Sequence, residues 1–244
     1  MGFVRCVAVP EPTSPTAFVR SDQVGSTTGA VVVIDVIRAF STAAYAFGAG
    51  ARAIYLVGGV DEALAFKATH PGCVAMGEDK GLRPAGFDLP NSPVRAAAFD
   101  FDGRLAVQRT SAGTQGVVAA RSADRLWCAS LVCASATAAA VTGAGLGDPT
   151  YVITGDFPDR PDRPGADDRL TAAHIEARRT GATSADAVVA RAVVESDEAT
   201  RTLLLSAEHV DPQDIAYATD VDRFAFAMEV TRDEFGLRLD RVDP

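Results

Sequence analysis

Between residues 29 and 154 the chain alternates between two hydrophobic periods. Residues 29–35 are a continuous apolar run closed by Asp35, the pattern of a strand buried on both faces, as in parallel sheets. The period then lengthens. Ile37, Phe40, Ala44 and Phe47 fall on one helical face, and Gly48 and Gly50 end that helix. The same alternation predicts strands at 53–57, 73–76, 104–108, 126–131 and 151–154. Helices are predicted at 61–69, 117–122 and 134–142, with another opening at Ser92, an N-cap followed by Pro93. A loop runs from 80 to 91 and a tight turn spans 111–116. Strands separated by short helices argue for βαβ units. The expected fold is α/β, a three-layer α/β/α arrangement with a mainly parallel sheet.

After Gly155 the character changes. Residues 156–168 are rich in Pro, Asp and Arg and predict a loop. Residues 168–218 read as successive helices broken near Gly181 and at Asp211-Pro212, so the C-terminal part is expected to be more helical. Residues 224–230 suit a strand or a helix equally. The 244 residues fit one domain over 1–244, or two closely packed α/β lobes at about 1–155 and 156–244.

A hydrophobic share of 48% with 23% charged residues excludes general disorder. Lys and Arg number 23 against 32 Asp and Glu, a net charge of -9. Such a chain repels phosphate backbones and anionic lipid, so neither nucleic acid nor a membrane is the expected partner. A small anionic substrate stays open if Arg, a metal ion or backbone N–H groups compensate it locally. The first residues lack the apolar core of a signal peptide, and no apolar run approaches the ~20 residues of a membrane span. Cys6, Cys73, Cys128 and Cys133 form no CxxC pair and have no His at ligand spacing. They read as reduced, mostly buried thiols of a cytoplasmic protein, and a homo-oligomer is compatible with the sequence.

In open α/β sheets ligands bind beyond the carboxyl ends of the strands. Asp35 and Arg38 lie at one such end, Glu78 and Asp79 at another, and the turn RTSAGTQG (109–116) at a third. The turn offers hydroxyls, N–H groups and little bulk, which suits an anion such as phosphate; it also suits an ordinary Ser/Thr-capped strand–helix turn. No Lys follows its last Gly, so it is not a Walker A loop. Asp35 reads as a helix cap, or as a metal ligand, base or nucleophile. Haloacid dehalogenase phosphatases need a second Asp two residues later, where this chain has Ile37. Asp35, Glu78, Asp88, Asp167 and Asp168 are oxygen donors of the kind Mg²⁺ prefers. Neither His70 nor His209 neighbours a plausible nucleophile, and His174 does not share a helical face with Glu176, so a His-based triad is not expected.

Five segments in order, VIDVIRA (33–39), GE (77–78), GFDLPNSP (86–93), RTSAGTQG (109–116) and ASLVCA (129–134), resemble the 2-phosphosulfolactate phosphatases of the ComB type. Weaker matches continue at GADD (165–168) and DIAY (214–217). The resemblance implies a Mg²⁺-dependent phosphatase acting on the phosphate ester of a 2-hydroxy acid, 2-phosphosulfolactate or a relative. It points to Asp35, Arg38 and Glu78 as catalytic. It points to Asp88, Asn91, Ser92, Thr110, Ser111, Gly113, Thr114 and Gly116 as substrate-binding, and to Asp35, Glu78 and Asp168 as metal ligands. Members often carry Asn where this chain has Ala112 and Cys133. Those two departures motivate an alternative, a non-catalytic binding module for a phosphorylated metabolite.

Overall fold

Ala17–Arg20 forms a first strand, β1, ahead of the predicted elements. The structure, a computed structural model, describes residues 16–244; Cys6 and the segment read for a signal peptide lie outside the described residues. The apolar run condenses into β2 (Ala30–Ile34), every residue of it buried. Then follow α1 (Ala39–Gly48), β3 (Ala53–Leu56), α2 (Val60–Thr69) and β4 (Val74–Gly77). A two-residue strand β5 (Leu89–Pro90) leads into α3 (Pro93–Ala97), whose N-cap Ser92 accepts from Arg95 N–H as its sequence predicts. The next units are β6 (Leu105–Arg109), α4 (Gly113–Ala119), β7 (Arg125–Ala129), α5 (Ala134–Gly143) and β8 (Thr150–Ile153). Helix α4 starts four residues before the expected 117, because Gly113 and Thr114 already belong to its first turn.

Beyond the 156–164 loop come α6 (Ala166–Thr180), α7 (Asp186–Val194), α8 (Asp197–Leu203) and α9 (Asp214–Ala218). The chain then ends in a hairpin, β9 (Ala227–Asp233) and β10 (Gly236–Val242), rather than in further helix. The ambiguous segment at 224–230 is therefore mostly strand.

The ten strands among the described residues form one sheet in the order β1-β8-β2-β7-β9-β10-β3-β6-β4-β5. The sheet is mixed. Both flanks, β1-β8-β2-β7 and β3-β6-β4-β5, are parallel within themselves. The C-terminal hairpin joins them through antiparallel pairings of β7 with β9 and β10 with β3. The expected mainly parallel sheet is thus divided by strands that local pattern left undecided.

Core residues sort by strand face. Val31 and Val33 of β2 pack with Phe40 and Phe47 of α1, and with Ile54, Leu56, Val74 and Met76 of the other flank. Ala30, Val32 and Ile34 face Trp127, Tyr151, Ala138, Ala172 and Ile175 on the outside. Tyr55, Ala75 and Val107 form a third cluster with Ala63 and Phe66 of α2. One face of each flank therefore shares a single core around α1. Adjacent strands rotate by roughly 20–25°. Accumulated across the hairpin, that rotation curls the sheet and brings carboxyl ends from both flanks together. No helix among the described residues is long and apolar enough to cross a membrane. Cys73, Cys128 and Cys133 are free and buried, and burial pushes all three thiols up.

Candidate active site

The strand-end residues meet at a cleft of about 640 Å³. Its floor holds Asp35, next after β2 and only 5% exposed. Asp35 Oδ1 accepts from Ala39 N–H at 2.8 Å, so the side chain does cap α1. Its Oδ2 lies against Gly113 at the start of α4, a contact close enough that a side chain there would collide. Burial drives the Asp35 carboxyl up to about 7, and the charges of Asp167, Glu78 and Glu198 add to the shift.

Asp167 and Asp168 open α6 and line the same cleft. Burial, then the charge of Glu198, pushes Asp167 to about 7 as well. Asp168 is held well above the usual carboxylate range by burial and by Asp167 and Asp35. It ties two strand ends together: Oδ1 accepts from Val36 N–H at 3.0 Å and Oδ2 from Gly155 N–H at 2.9 Å.

Arg38 is 4% exposed and borders the cleft. Its Nη1 donates to Asp214 Oδ2 and to His209 O, each at 2.9 Å. Asp214, fully buried, also accepts from Ser92 Oγ at 2.5 Å, from Val94 N–H at 3.2 Å and from Asp211 N–H at 3.0 Å. Glu78 reaches across to the turn after β6. Its Oε1 accepts from Ser111 N–H, and its Oε2 from Ser111 Oγ at 3.0 Å and Gly81 N–H at 2.6 Å. Gly77 before it has φ +131°, and a Cβ there would stand 1.9 Å from Arg109 O, so only glycine lets β4 and β6 close up here.

The other predicted site residues divide. Asn91 lines the cleft, buried, and its Oδ1 has no hydrogen-bond partner among the described residues. Ser111 and Ala112 also line it, whereas Thr110 and Thr114 are turned inward. Thr110 N–H donates to Thr114 Oγ1 at 2.9 Å and Thr114 N–H to Thr110 Oγ1 at 3.0 Å. The turn's threonine hydroxyls thus close the turn instead of facing a ligand. Gly116 makes room for Thr154 and Val33, which a Cβ would meet at 2.7 and 2.9 Å. Ser92 caps α3 and holds Asp214. Asp88 is exposed and outside the cleft, where it pairs with Lys67 at 2.7 Å and accepts from Ala75 N–H. Of the two departures noted above, Ala112 faces the cleft, while Cys133 is buried and packs in the core around α1.

Sequence reasoning misses several cleft residues. Lys80 comes from beyond the end of β4 in the β3-β6-β4-β5 flank, Arg160 and Arg163 from the 156–164 loop, and Glu198 and Arg201 from α8. The loop follows β8, so the strand-end rule that singles out Asp35 applies to it too; nothing local marks Glu198 or Arg201. Among the described residues no three His, Cys, Asp or Glu side chains gather closely enough to hold a metal ion by themselves. The donors present are nonetheless hard oxygens that repel one another. That chemistry fits Mg²⁺, which binds through one or two carboxylates and completes its shell with water and phosphate oxygens.

Comparison with known proteins identifies the family. The family model for 2-phosphosulpholactate phosphatase matches residues 18–232. A probable 2-phosphosulfolactate phosphatase of Bacillus subtilis is 34% identical over 214 residues, covering 86% of this chain and 91% of that protein. One from Thermus thermophilus is 45% identical over 109 residues, covering 44% of this chain and 45% of the relative. A third, from Deinococcus radiodurans, is 40% identical over 108 residues, 44% of this chain and 45% of its own length. The chain belongs to the 2-phosphosulfolactate phosphatase family.

Proposed function

We propose that this chain is a Mg²⁺-dependent phosphoric monoester hydrolase acting on the phosphate ester of a 2-hydroxy acid, 2-phosphosulfolactate or a close analogue. The observation that carries this reading is the meeting of Asp35 and Arg38, after β2, with Asp167, which opens α6 far along the chain, at one cleft. Two buried carboxyls pushed to about 7 by burial and nearby carboxylates are costly to ionise unless a cation joins them. Mg²⁺ would be held by Asp35 and Asp167. When bound, it supplies neutralisation of the charge that develops on the phosphoryl oxygens.

The chain's own residues do the rest. Arg38, fixed by Asp214, holds a phosphoryl oxygen. Asp35, its Oδ1 anchored by Ala39 N–H, uses Oδ2 to line up the attacking water and take its proton; the phosphorus–oxygen ester bond breaks as the water adds, and the departing 2-hydroxyl oxygen takes a proton in return. Asp168 holds the ends of β2 and β8 at their separation, and Glu78 holds the Ser111 turn. Asn91 offers its amide to the substrate. Asn91 keeps the substrate-binding role expected of it, whereas Glu78 and Asp168 are given holding roles in place of the expected metal ligation, and Thr110, Thr114 and Asp88 are given no part in binding.

Phosphate release from 2-phosphosulfolactate, measured with Mg²⁺ and again after chelation, tests the reading. Release that needs the ion supports it. Tight binding of the ester with no release at any Mg²⁺ concentration instead favours the non-catalytic binding module.

A further inference from the structure

The cations of the cleft fall into two sets. Arg38, Arg109 and Arg201 are each matched by a carboxylate: Asp214 at 2.9 Å, Asp79 at 2.8 Å and Glu198 at 3.2 Å. Lys80, Arg160 and Arg163 line the same cleft and have no ion-pair partner among the described residues. The lining as a whole is balanced, six basic side chains against six acidic ones, but Arg160 and Arg163 lie together on one loop with no acid between them that pairs with either among the described residues.

Two of the three sit on a built loop. Asp156 bridges to Pro164 at its base, and Arg169 clamps that base by pairing with Asp156 and donating to Pro164 O at 2.9 Å. Within it Arg160 N–H donates to Phe157 O at 3.1 Å and Arg163 N–H to Arg160 O at 2.8 Å, two turns in succession. The Arg160 guanidinium lies 5.2 Å from the centre of the Phe157 ring, which holds it over an apolar face and leaves its fork free. Gly165, at φ +62°, lets the loop return against Ile153, which a Cβ would meet at 2.7 Å.

We infer that Arg160 and Arg163, with Lys80 lining the same cleft, form a second anion subsite that reads a strong oxyanion on the substrate remote from the phosphoester, a sulfonate in the family's named substrate. The inference rests on the phosphatase reading and adds the residues that set its specificity. The carboxylates and Arg38 take the reacting phosphoryl group, and the loop takes the other end. Guanidinium groups suit this role because they meet a planar or tetrahedral oxyanion with two parallel donors.

The test compares two esters that differ only on the third carbon: 2-phosphosulfolactate carries a sulfonate there and 2-phospholactate a hydrogen. Hydrogen bonds to a charged group contribute about 1.5–3 kcal/mol, so Arg160→Ala/Arg163→Ala should lower the ratio of kcat/KM values, sulfonated over plain, about 10- to 100-fold. The affinity for sulfolactate, measured by calorimetry, should fall by a similar factor while the melting temperature holds. Arg121→Ala removes a cation outside the cleft with no ion-pair partner among the described residues and should leave the ratio within twofold. An unchanged ratio and unchanged sulfolactate affinity in the double variant overturn the subsite. So does an equal loss in Arg121→Ala, which would make the effect one of net charge. If the unsubstituted protein hydrolyses neither ester, the phosphatase reading fails by itself, and the sulfolactate measurement alone decides the subsite.

Discussion

Gly113 lies directly on Asp35: a methyl group at position 113 would stand 2.7 Å from Asp35 Oδ2 and 2.6 Å from the Ala39 methyl. The glycine of the SAGT turn is therefore a spacer between α4, α1 and the carboxylate at the end of β2. Gly113→Ala should lower phosphate release at least tenfold by displacing Oδ2. Overpacking of this kind destabilises by about 1–3 kcal/mol, a fall of roughly 2–12 °C in a chain of this size. Steady-state kinetics beside a thermal melt check both. Wild-type turnover in the variant would show that Oδ2 tolerates movement and is not the reacting oxygen.

The Arg38–Asp214 pair sits 4% and 0% exposed and gathers α1, α3 and α9 into one polar knot. Removing one member of a buried pair leaves an uncompensated charge and costs about 3–5 kcal/mol. Asp214→Asn should lower the melting temperature by roughly 6–20 °C. Replacing both, as Arg38→Met/Asp214→Leu, should recover part of that stability because the stranded charge is gone. It should recover no activity, because Arg38 is assigned to the phosphoryl group. Recovery of both would reduce the pair to a packing element.

Much of this site is legible along the chain and some of it is not, for a physical reason in each case. The strand ending in Asp35 is plain because a strand buried on both faces must be apolar throughout, and a carboxylate at its end stands out. The hairpin β9–β10 is obscure because its burial is uneven, with Thr231, Arg232 and Asp233 exposed, so no period dominates. Its partners, β7 and β3, lie far away in sequence. Asp88 looks like a ligand within GFDLPNSP until Lys67 is seen beside it, a pairing set by the path of α2. Thr110 and Thr114 present hydroxyls to any reader of the sequence, yet the turn folds them onto each other. Glu198 and Arg201 join the cleft only through tertiary packing of α8.

Asp35→Asn should abolish activity while leaving the fold intact. Loss of one charged group at the transition state typically lowers the rate by 10²–10³. The same substitution should make the Mg²⁺-free protein more stable above neutral pH, since it removes a carboxylate that burial and neighbouring charges disfavour. A melt at pH 8 with chelator measures this. A lower melting temperature there would contradict the repulsion.

Proton and metal should compete at Asp35 and Asp167. Both carboxyls lie near 7 in the folded protein against 3.8 as ordinary aspartates. The folded state therefore holds protons that the unfolded state has released. Their contribution to stability is complete below pH 3.8 and is lost as pH rises toward about 7. In chelator the melting temperature should decline across that window. Mg²⁺ needs the ionised carboxylates, so its affinity should rise with pH up to about 7 and level off above it, with proton release on binding below that point. At pH 8, saturating Mg²⁺ should restore the melting temperature, by about 2.7 kcal/mol of added stability at a hundredfold excess over its dissociation constant. Calorimetric titrations in two buffers of different ionisation enthalpy report the proton count. A Mg²⁺ affinity independent of pH between 5 and 8 would mean that these two carboxylates are not its ligands.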